Sequence, residues 1–434
     1  MESTRPWLAA LEGYYGAPLE PDARAALIRW LAGVGYDAFI HAPKDDPYQR
    51  ARWRDPYPPD ARAHLETAVD AASANGLQFG LTISPGLDWR TGGADVDALT
   101  AKVESLLDLG LDVIGIAWDD TPGSGAALGR DHGAAVAEVA RRIGTDAARW
   151  FTCPVDYAVE TPTAYLRAFA GELGDGVELM WTGPSVLTTV LTEDHVRHLR
   201  DELGCRLLFN DNFPVNDVGM SQVLHLGPYP EREPAAMALT GGLIANFMKR
   251  PLASRIGLEL AARAWRDPSA DRFDTWRSVV GSVDGLRPLA TACSSWLDRP
   301  GPDPALARWA EAAGADDRRL REFLEAGCRG DLDASLAAEV EPWLAAWERE
   351  ASVMLAALDV LESEGPPGLE PLATVAVLWN AARAERRQVF GVRFAVYPST
   401  RRDDGGTFLA RPDAIVAGGN LTDLVVERAL ATAR

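Results

Sequence analysis

The chain has 434 residues, of which 47% are hydrophobic and 24% charged, a composition typical of a folded globular protein. Its 63 acidic and 43 basic residues give a formal net charge of −20. Nucleic-acid binding needs clustered Lys and Arg, so no nucleic-acid partner is expected, and the same deficit argues against binding to an anionic membrane surface.

The sequence predicts a cytoplasmic protein. The N-terminus has no basic stretch followed by an apolar run, and no segment approaches the about 18 consecutive apolar residues of a membrane span. The four cysteines lie far apart without CxxC spacing, which indicates reduced thiols rather than disulfides or a zinc site: Cys153, Cys205, Cys293 and Cys328. No metal or other cofactor is expected.

Up to residue 284, short apolar runs alternate with segments of helical period. The runs interpreted as strands are residues 11–15, 38–41, 79–83, 113–118, 150–153, 177–181, 206–209 and 243–246. The helical segments between them are residues 22–32, 60–75, 95–109, 133–143, 164–173, 192–203 and 251–264, several of which open with a suitable Asp, Thr or Pro. Eight strands alternating with helices predict an α/β fold, the (β/α)8 TIM barrel, which takes about 250 residues.

An open, doubly wound sheet is the alternative to the barrel, because alternation alone does not distinguish a closed sheet from an open one. The dinucleotide fingerprint GxGxxG is missing after the first predicted strand, which disfavours that alternative. We therefore assign residues 1–284 to a barrel domain.

The barrel pattern ends after residue 284, and residues 285–390 predict an α-helical bundle domain. Prolines at 300–304, 342 and 366–367 are expected to divide this stretch into four or five helices. Trp343 and Trp347 stand four residues apart on one helical face, so we expect the tryptophans of this stretch to pack in a core. They are Trp296, Trp309, Trp343, Trp347 and Trp379.

Residues 391–434 predict a small C-terminal α/β segment, to which no chemistry is assigned. Strands at 392–397 and 413–416 flank a polar loop at 401–406, and Asn420 is expected to cap a final helix over 421–433. A homo-oligomer is compatible with the sequence, which does not fix the oligomeric state.

Polar and aromatic residues follow every predicted strand, where a barrel enzyme places its active site, and such a pocket suits a sugar. The pair Asp119-Asp120 closes the fourth strand. Adjacent strand residues point to opposite faces, so at a strand end the two carboxylates can approach one ligand from different sides. Two carboxylates in distinct environments suit glycoside hydrolysis, while a solvated loop start or a Mg²⁺ site remains open on the pair alone.

A series of short motifs follows the predicted strands. They are Glu12-Gly13-Tyr14-Tyr15-Gly16, Ala42-Pro43-Lys44-Asp45-Asp46 with Arg52-Trp53-Arg54, Ile83-Ser84-Pro85-Gly86-Leu87-Asp88, Asp119-Asp120, Cys153-Pro154 with Tyr157, Trp181-Thr182-Gly183-Pro184, Asn212 with Asn216-Asp217, and Leu226-Gly227-Pro228-Tyr229. In this order, over about residues 8–250, the chain resembles the catalytic domain of family 84 glycoside hydrolases, the O-GlcNAcases and related β-N-acetylglucosaminidases.

The resemblance implies a retaining exo-β-N-acetylglucosaminidase acting on a terminal β-linked N-acetylglucosamine of a glycoprotein or small glycoconjugate. In that family's substrate-assisted mechanism the 2-acetamido oxygen attacks the anomeric carbon and gives an oxazoline. Asp119 would accept the acetamide N–H, Asp120 would act as general acid and base, and Tyr157 would donate to the acetamide oxygen.

The resemblance also implies the residues that bind the sugar. Gly13 and Lys44 would hold hydroxyl groups, Asp217 would accept from the O4 and O6 hydroxyls, and Asn212 and Asn246 would add amide contacts. The mechanism uses no metal.

One position departs from the family pattern. Where the family usually has a pocket tryptophan, two residues before Asn212, this chain has Asn210. Either another aromatic residue substitutes, with Trp181, Phe213 and Phe247 as candidates, or the preferred 2-acetamido sugar differs. A catalytically weak sugar- or glycoprotein-binding module and a scaffold protein are the alternatives from other classes.

Overall fold

A closed barrel of eight parallel strands forms the first half of the chain, which confirms the predicted barrel fold. The computed structural model describes residues 7–295, 317–365, 367–384, 387–391, 394–396, 400–402, 408–410, 415–417 and 419–432. In chain order the first strands are β1 (Trp7–Glu12), β2 (Ala38–His41), β3 (Gln78–Ile83), β4 (Val113–Ala117), β5 (Arg149–Cys153), β6 (Val177–Trp181), β7 (Val190–Leu191), β8 (Leu207–Asp211), β9 (Glu231–Arg232) and β10 (Gly242–Asn246). Strands β7 and β9 pair with each other, and the other eight form the barrel in the order β1-β10-β8-β6-β5-β4-β3-β2.

Side chains alternate between the barrel interior and the layer under the helices. On β1, Trp7, Ala9 and Leu11 belong to the interior cluster, whereas Leu8 and Ala10 join the larger cluster outside the sheet. This two-residue period determines which side chain of each strand end faces the central cavity.

The first strand was predicted at residues 11–15, and this prediction is wrong by about three residues. The pairing of β1 with β2 ends at Glu12, so Gly13, Tyr14 and Tyr15 lie in the following loop. The error has a physical reason, because the alanines of β1 favour a helix by propensity whereas the two tyrosines favour a strand.

Helices connect the strands and cover the barrel. They are α1 (Pro21–Val34), α2 (Pro59–Ala74), α3 (Gly93–Leu107), α4 (Ala126–Ile143), α5 (Ala164–Glu172), α6 (Glu193–Leu203), α7 (Pro234–Ala238) and α8 (Pro251–Arg266). The expected helix starts are confirmed at α5 and α6, where the side chains of Thr163 and Thr192 accept backbone N–H groups of the first turn. Proline occupies the first turn of α1, α2, α7 and α8.

Helix α4 begins seven residues earlier than its predicted start at residue 133. Glycines weaken a helix prediction, but Gly129 and Gly133 are the positions at which α4 packs closely on α5. A Cβ atom on Gly129 would lie 2.2 Å from the carbonyl oxygen of Tyr165, and one on Gly133 would lie 2.4 Å from that of Phe169.

A helical region follows the barrel, as the sequence predicts. It contains α9 (Arg272–Gly281), α10 (Arg287–Ala292), α11 (Asp317–Ala326), α12 (Ala334–Glu362) and α13 (Leu369–Arg383). Trp343 and Trp347 are buried in one cluster that also includes the outer barrel surface, so core packing is confirmed for this pair. Residue 366, the prolines at 300–304, Trp296 and Trp309 lie outside the described residues, and the domain boundary at 284/285 stays a prediction.

The break predicted at Pro342 is wrong, because α12 continues through it. An interior proline removes one helical hydrogen bond and costs about 3 kcal/mol. Complete burial of Trp343 and Leu344 directly after it offsets this cost, since each large apolar side chain contributes about 1.5–3 kcal/mol when buried.

The C-terminal segment contains β11 (Phe394–Val396), β12 (Thr400–Arg402), β13 (Phe408–Ala410), β14 (Ile415–Ala417) and α14 (Leu421–Ala431). The polar loop expected at 401–406 is wrong at its start, because β12 pairs with β13, and residues 403–407 lie outside the described part. The cap is confirmed, since the Asn420 side chain accepts from the backbone N–H of Asp423 at 3.0 Å. Among the described residues, no helix is both long and apolar enough to cross a bilayer.

Candidate active site

The predicted site residues surround one cavity of about 550 Å³ at the carboxyl ends of the barrel strands. It is lined by all eight of them, which are Gly13, Lys44, Asp119, Asp120, Tyr157, Asn212, Asp217 and Asn246. They come from the segments after β1, β2, β4, β5 and β8 and from the end of β10. The closed barrel therefore brings together residues separated by more than 200 positions in the chain.

Asp119 is held by a cation. Its Oδ2 atom pairs with the Lys44 ammonium, and its buried Oδ1 atom has no hydrogen-bond partner among the described residues. Burial alone would raise the pKa of Asp119, but the charges of Lys44 and Arg50 outweigh it and hold the pKa below its usual range. Asp119 is therefore an anionic acceptor with one oxygen free to meet a donor from a ligand.

Asp120 is held instead by two phenols. Tyr15 donates to its Oδ2 atom at 2.8 Å, and Tyr157 donates to its Oδ1 atom at 3.2 Å. Burial, and then the charges of Asp120 and Asp119, raise the pKa of Tyr157 well above its usual value, so its hydroxyl remains a donor.

The two carboxylates reach one cavity by a backbone turn rather than by strand alternation. Strand β4 ends at Ala117, before the pair, and Asp120 adopts a left-handed backbone conformation with φ of 53°. Few residues other than glycine take this conformation, and it commonly marks a functional constraint. The prediction that strand alternation presents the two carboxylates from different sides is therefore wrong, because both follow the strand and a backbone turn directs them.

A chain of amide contacts fixes the opposite wall. The Gly13 N–H donates to Asn246 Oδ1 at 3.2 Å, and Asn246 Nδ2 donates to Asn212 Oδ1 at 2.9 Å. Asn212 Nδ2 then donates to the carbonyl of Val186 at 2.9 Å. Because this chain starts at a backbone donor and ends at a backbone acceptor, the orientation of each amide is determined.

Asp217 lines the cavity and accepts the backbone N–H of Tyr15 at 2.6 Å. Burial raises the pKa of its carboxyl, although the Tyr15 N–H and the Lys44 charge work in the opposite direction. The residues after it, Val218–Met220, form a short turn that also lines the cavity.

Comparison with known proteins identifies the family. A sequence model of NAGidase, the beta-N-acetylglucosaminidases, matches residues 9–295. The chain belongs to this family. The NAGidase family consists of glycoside hydrolases, and the predicted resemblance to family 84 is confirmed.

Relatives and solved structures agree with this assignment. Protein O-GlcNAcase of Rattus norvegicus and that of Mus musculus are each 26% identical over 251 residues, 54% of this chain and 27% of theirs, so this chain spans about a quarter of their length. A mutant O-GlcNAc hydrolase from Thermobaculum terrenum has a TM-score of 0.82 at 22% identity, covering 99% of this chain and 94% of that chain. CpGH84B has a TM-score of 0.76 at 22% identity, with 88% and 74% covered. These structures show a shared fold.

None of the three aromatic residues expected to replace the family tryptophan lines the cavity. Trp181, Phe213 and Phe247 are buried in the cluster outside the barrel sheet. Each directly follows a residue whose side chain lines the cavity, and this neighbouring position points away from it. The cavity's aromatic lining comes from Tyr15, Phe151 and Tyr157.

Two residues without an assigned role at the sequence level also shape this NAGidase site. Tyr15 contacts Asp120 through its hydroxyl and Asp217 through its backbone, and Arg50 donates to the Asp120 carbonyl at 3.4 Å. Tyr15 lies in the same loop after β1 as Gly13, and its place in the motif Glu12-Gly13-Tyr14-Tyr15-Gly16 was the available signal. Arg50 lies in the loop after β2 and carried no such signal.

No metal site appears among the described residues, in which no three His, Cys, Asp or Glu side chains are grouped to hold an ion. The four cysteines are free thiols. The cavity thus offers one anionic carboxylate paired with a cation, a second carboxyl bound by two phenols, and a wall of amides. This arrangement can orient a neutral polar ligand and transfer protons to it.

Proposed function

We propose that the chain is a retaining exo-β-N-acetylglucosaminidase that releases terminal β-linked N-acetylglucosamine by substrate-assisted catalysis through an oxazoline. The observation that carries this proposal is the separate environment of the two adjacent carboxylates, with Asp119 on Lys44 and Asp120 on Tyr15 and Tyr157. Two carboxyl groups in different environments can take different roles in one reaction.

In the first step Asp119 accepts the acetamide N–H of the bound sugar on its unpartnered Oδ1 atom. This contact turns the acetamide oxygen toward the anomeric carbon and stabilises the positive charge that develops on the acetamide as the ring closes. The buried hydroxyl of Tyr157 has a single proton, so it leaves Asp120 and donates to the acetamide oxygen when the sugar binds.

Asp120 then serves both proton transfers. It protonates the glycosidic oxygen as the leaving group departs, and afterwards it removes a proton from the water that opens the oxazoline. The phenol of Tyr15 holds its carboxyl in place for both steps.

The remaining residues bind the sugar ring. Asp217 has one oxygen on the Tyr15 backbone and can accept the O4 and O6 hydroxyls on the other. Lys44, Gly13, Asn212 and Asn246 form the adjoining polar wall.

Turnover of a chromogenic β-N-acetylglucosaminide tests the proposal. We expect hydrolysis by the wild type and a large loss of kcat in Asp120→Asn, with kcat/KM restored by an acidic leaving group, because only the first step then proceeds without the acid. Asp201→Asn is the matched control, because this exposed aspartate lies on α6 away from the cavity. Absence of wild-type turnover on any 2-acetamido sugar would contradict the enzyme function and favour a sugar-binding module.

A second candidate, a hydrolase for a different 2-acylamino sugar, is favoured by one observation. Asn210 lines the cavity where the family usually has tryptophan, and no other aromatic residue on that strand takes its place. The pocket is therefore both more open and more polar there than an aromatic side chain would make it.

A further inference from the structure

The cavity extends one layer of side chains below the predicted site residues. Leu11, Ala42, Ala117 and Asn210 line it, and each stands two positions before a site residue, namely Gly13, Lys44, Asp119 and Asn212. Leu11, Ala42 and Ala117 belong to the interior cluster, and Asn210 lies on β8 before Asn212, so these four form the next layer toward the barrel interior. The two alanines fill little of this layer, and Asn210 is its one polar member.

The carboxamide of Asn210 is oriented by its neighbours. Asn212 Oδ1 already accepts from Asn246, and Asn212 Nδ2 donates to a backbone carbonyl. Asn210 must therefore present its Nδ2 to Asn212 Oδ1, at 3.4 Å, which turns its own Oδ1 away from the amide chain. This assignment follows from the network and would not hold for an isolated asparagine.

The Oδ1 atom of Asn210 is thereby a buried acceptor. Asn210 is 4% exposed, and its Oδ1 has no hydrogen-bond partner within the described part of the chain. A buried carbonyl without a donor costs free energy, which a ligand recovers by presenting an O–H or N–H group. The methyl group of an N-acetyl substituent cannot do so.

We propose that Asn210 selects 2-acylamino sugars whose N-acyl group carries a hydroxyl, such as an N-glycolyl group. The inference rests on the proposed function, in which Asp119 and Tyr157 hold the 2-acylamino group. The acyl end is then the part of the sugar nearest the layer below Asp119. Its hydroxyl donates to Asn210 Oδ1, while the reacting amide and the ring keep the contacts described above.

Binding of free N-acylglucosamines tests the role of Asn210. Binding is preferred to turnover because the electron-withdrawing hydroxyl would itself slow the chemical step. N-glycolylglucosamine and N-propionylglucosamine have acyl groups of the same length, and only the first has the hydroxyl. We expect calorimetry to give a Kd about tenfold lower for the N-glycolyl sugar with the wild type, and no preference with Asn210→Leu. Met180→Leu, an apolar change in the same cavity on β6, should keep the preference.

Equal affinity of the wild type for the two sugars would overturn the inference, as would a preference that survives in Asn210→Leu. If the leucine variant does not fold, Asn210→Ala replaces it, and the wild-type ratio remains decisive. Turnover of the chromogenic β-N-acetylglucosaminide is measured in parallel. Failure of turnover contradicts the proposed function, whereas normal turnover with equal affinities contradicts only the role of Asn210.

Discussion

Replacing Lys44 with methionine separates the charge of this residue from its bulk. The Lys44 and Asp119 side chains form an ion pair and are only 10% and 15% exposed. With the ammonium removed, the largest contributions that oppose burial are lost, so the pKa of Asp119 rises. A carboxylate that must be anionic to accept the acetamide N–H then becomes protonated at a higher pH than in the wild type.

Lys44→Met should also lower the free energy of unfolding, by an amount that depends on pH. Removing one partner of a buried pair costs about 3–5 kcal/mol, and because both groups keep some exposure we expect about 2–3 kcal/mol. A carboxyl whose pKa is lowered on folding stabilises the native state above its unfolded pKa, near 4. Because the unfolded states of the wild type and the variant titrate alike, the wild-type advantage in unfolding free energy should be full at neutral pH and shrink as the pH falls from the raised pKa of Asp119 in the variant to its lowered pKa in the wild type.

The assay is the pH dependence of kcat/KM, measured with a chromogenic β-N-acetylglucosaminide. In Lys44→Met the acidic limb should move toward neutral pH by about one unit or more, because this limb reports ionisation of the free enzyme. Lys44→Arg keeps a cation and should leave the limb near its wild-type position. A higher KM with an unmoved limb would refute this reasoning and leave Lys44 only as a sugar contact.

Three further substitutions follow from other contacts. Tyr15→Phe removes one donor from Asp120 and should lower kcat about tenfold or more with little change in the melting temperature; equal activity would show that this bond is dispensable. Gly129→Ala places a Cβ 2.2 Å from a backbone oxygen of α5 and should lower the free energy of unfolding by about 2–3 kcal/mol, measured with denaturant. Gly171→Ala, in open space on α5, is the control and should be neutral or slightly stabilising. Similar values for both variants would contradict the close packing. Asn420→Ala removes the cap of α14 and should cost about 1–2 kcal/mol in the same measurement, and an unchanged midpoint would contradict the cap.

Much of the site could be predicted because its residues follow strands that are recognisable on their own. Asp119 and Asp120 come directly after a β-branched apolar run, and Lys44 follows another, so a barrel places them at one end. The structure brings these three to one cavity with the five other predicted residues, and the individual roles of all eight stay predictions.

What could not be predicted depends on backbone turns and on which face a side chain takes. The left-handed conformation of Asp120 has no sequence signal, and it places this carboxyl between two phenols. The faces of Trp181 and Phe213 depend on the phase of the inward and outward alternation, and an apolar strand that is buried on both faces carries no signal of that phase. The sequence predicted a helix break at Pro342. It could not show that burial of Trp343 offsets the cost of the proline, because that burial depends on the tertiary structure.

Stepwise fluorination of the substrate's N-acetyl group tests substrate assistance most directly. Each fluorine makes the acetamide oxygen a poorer nucleophile, so kcat/KM should fall progressively from N-acetyl to N-trifluoroacetyl at constant leaving group. The Asp201→Asn variant should show the same slope as the wild type, because its substitution lies away from the cavity. A rate that does not change along the series would show that a group of the enzyme, not of the sugar, attacks the anomeric carbon.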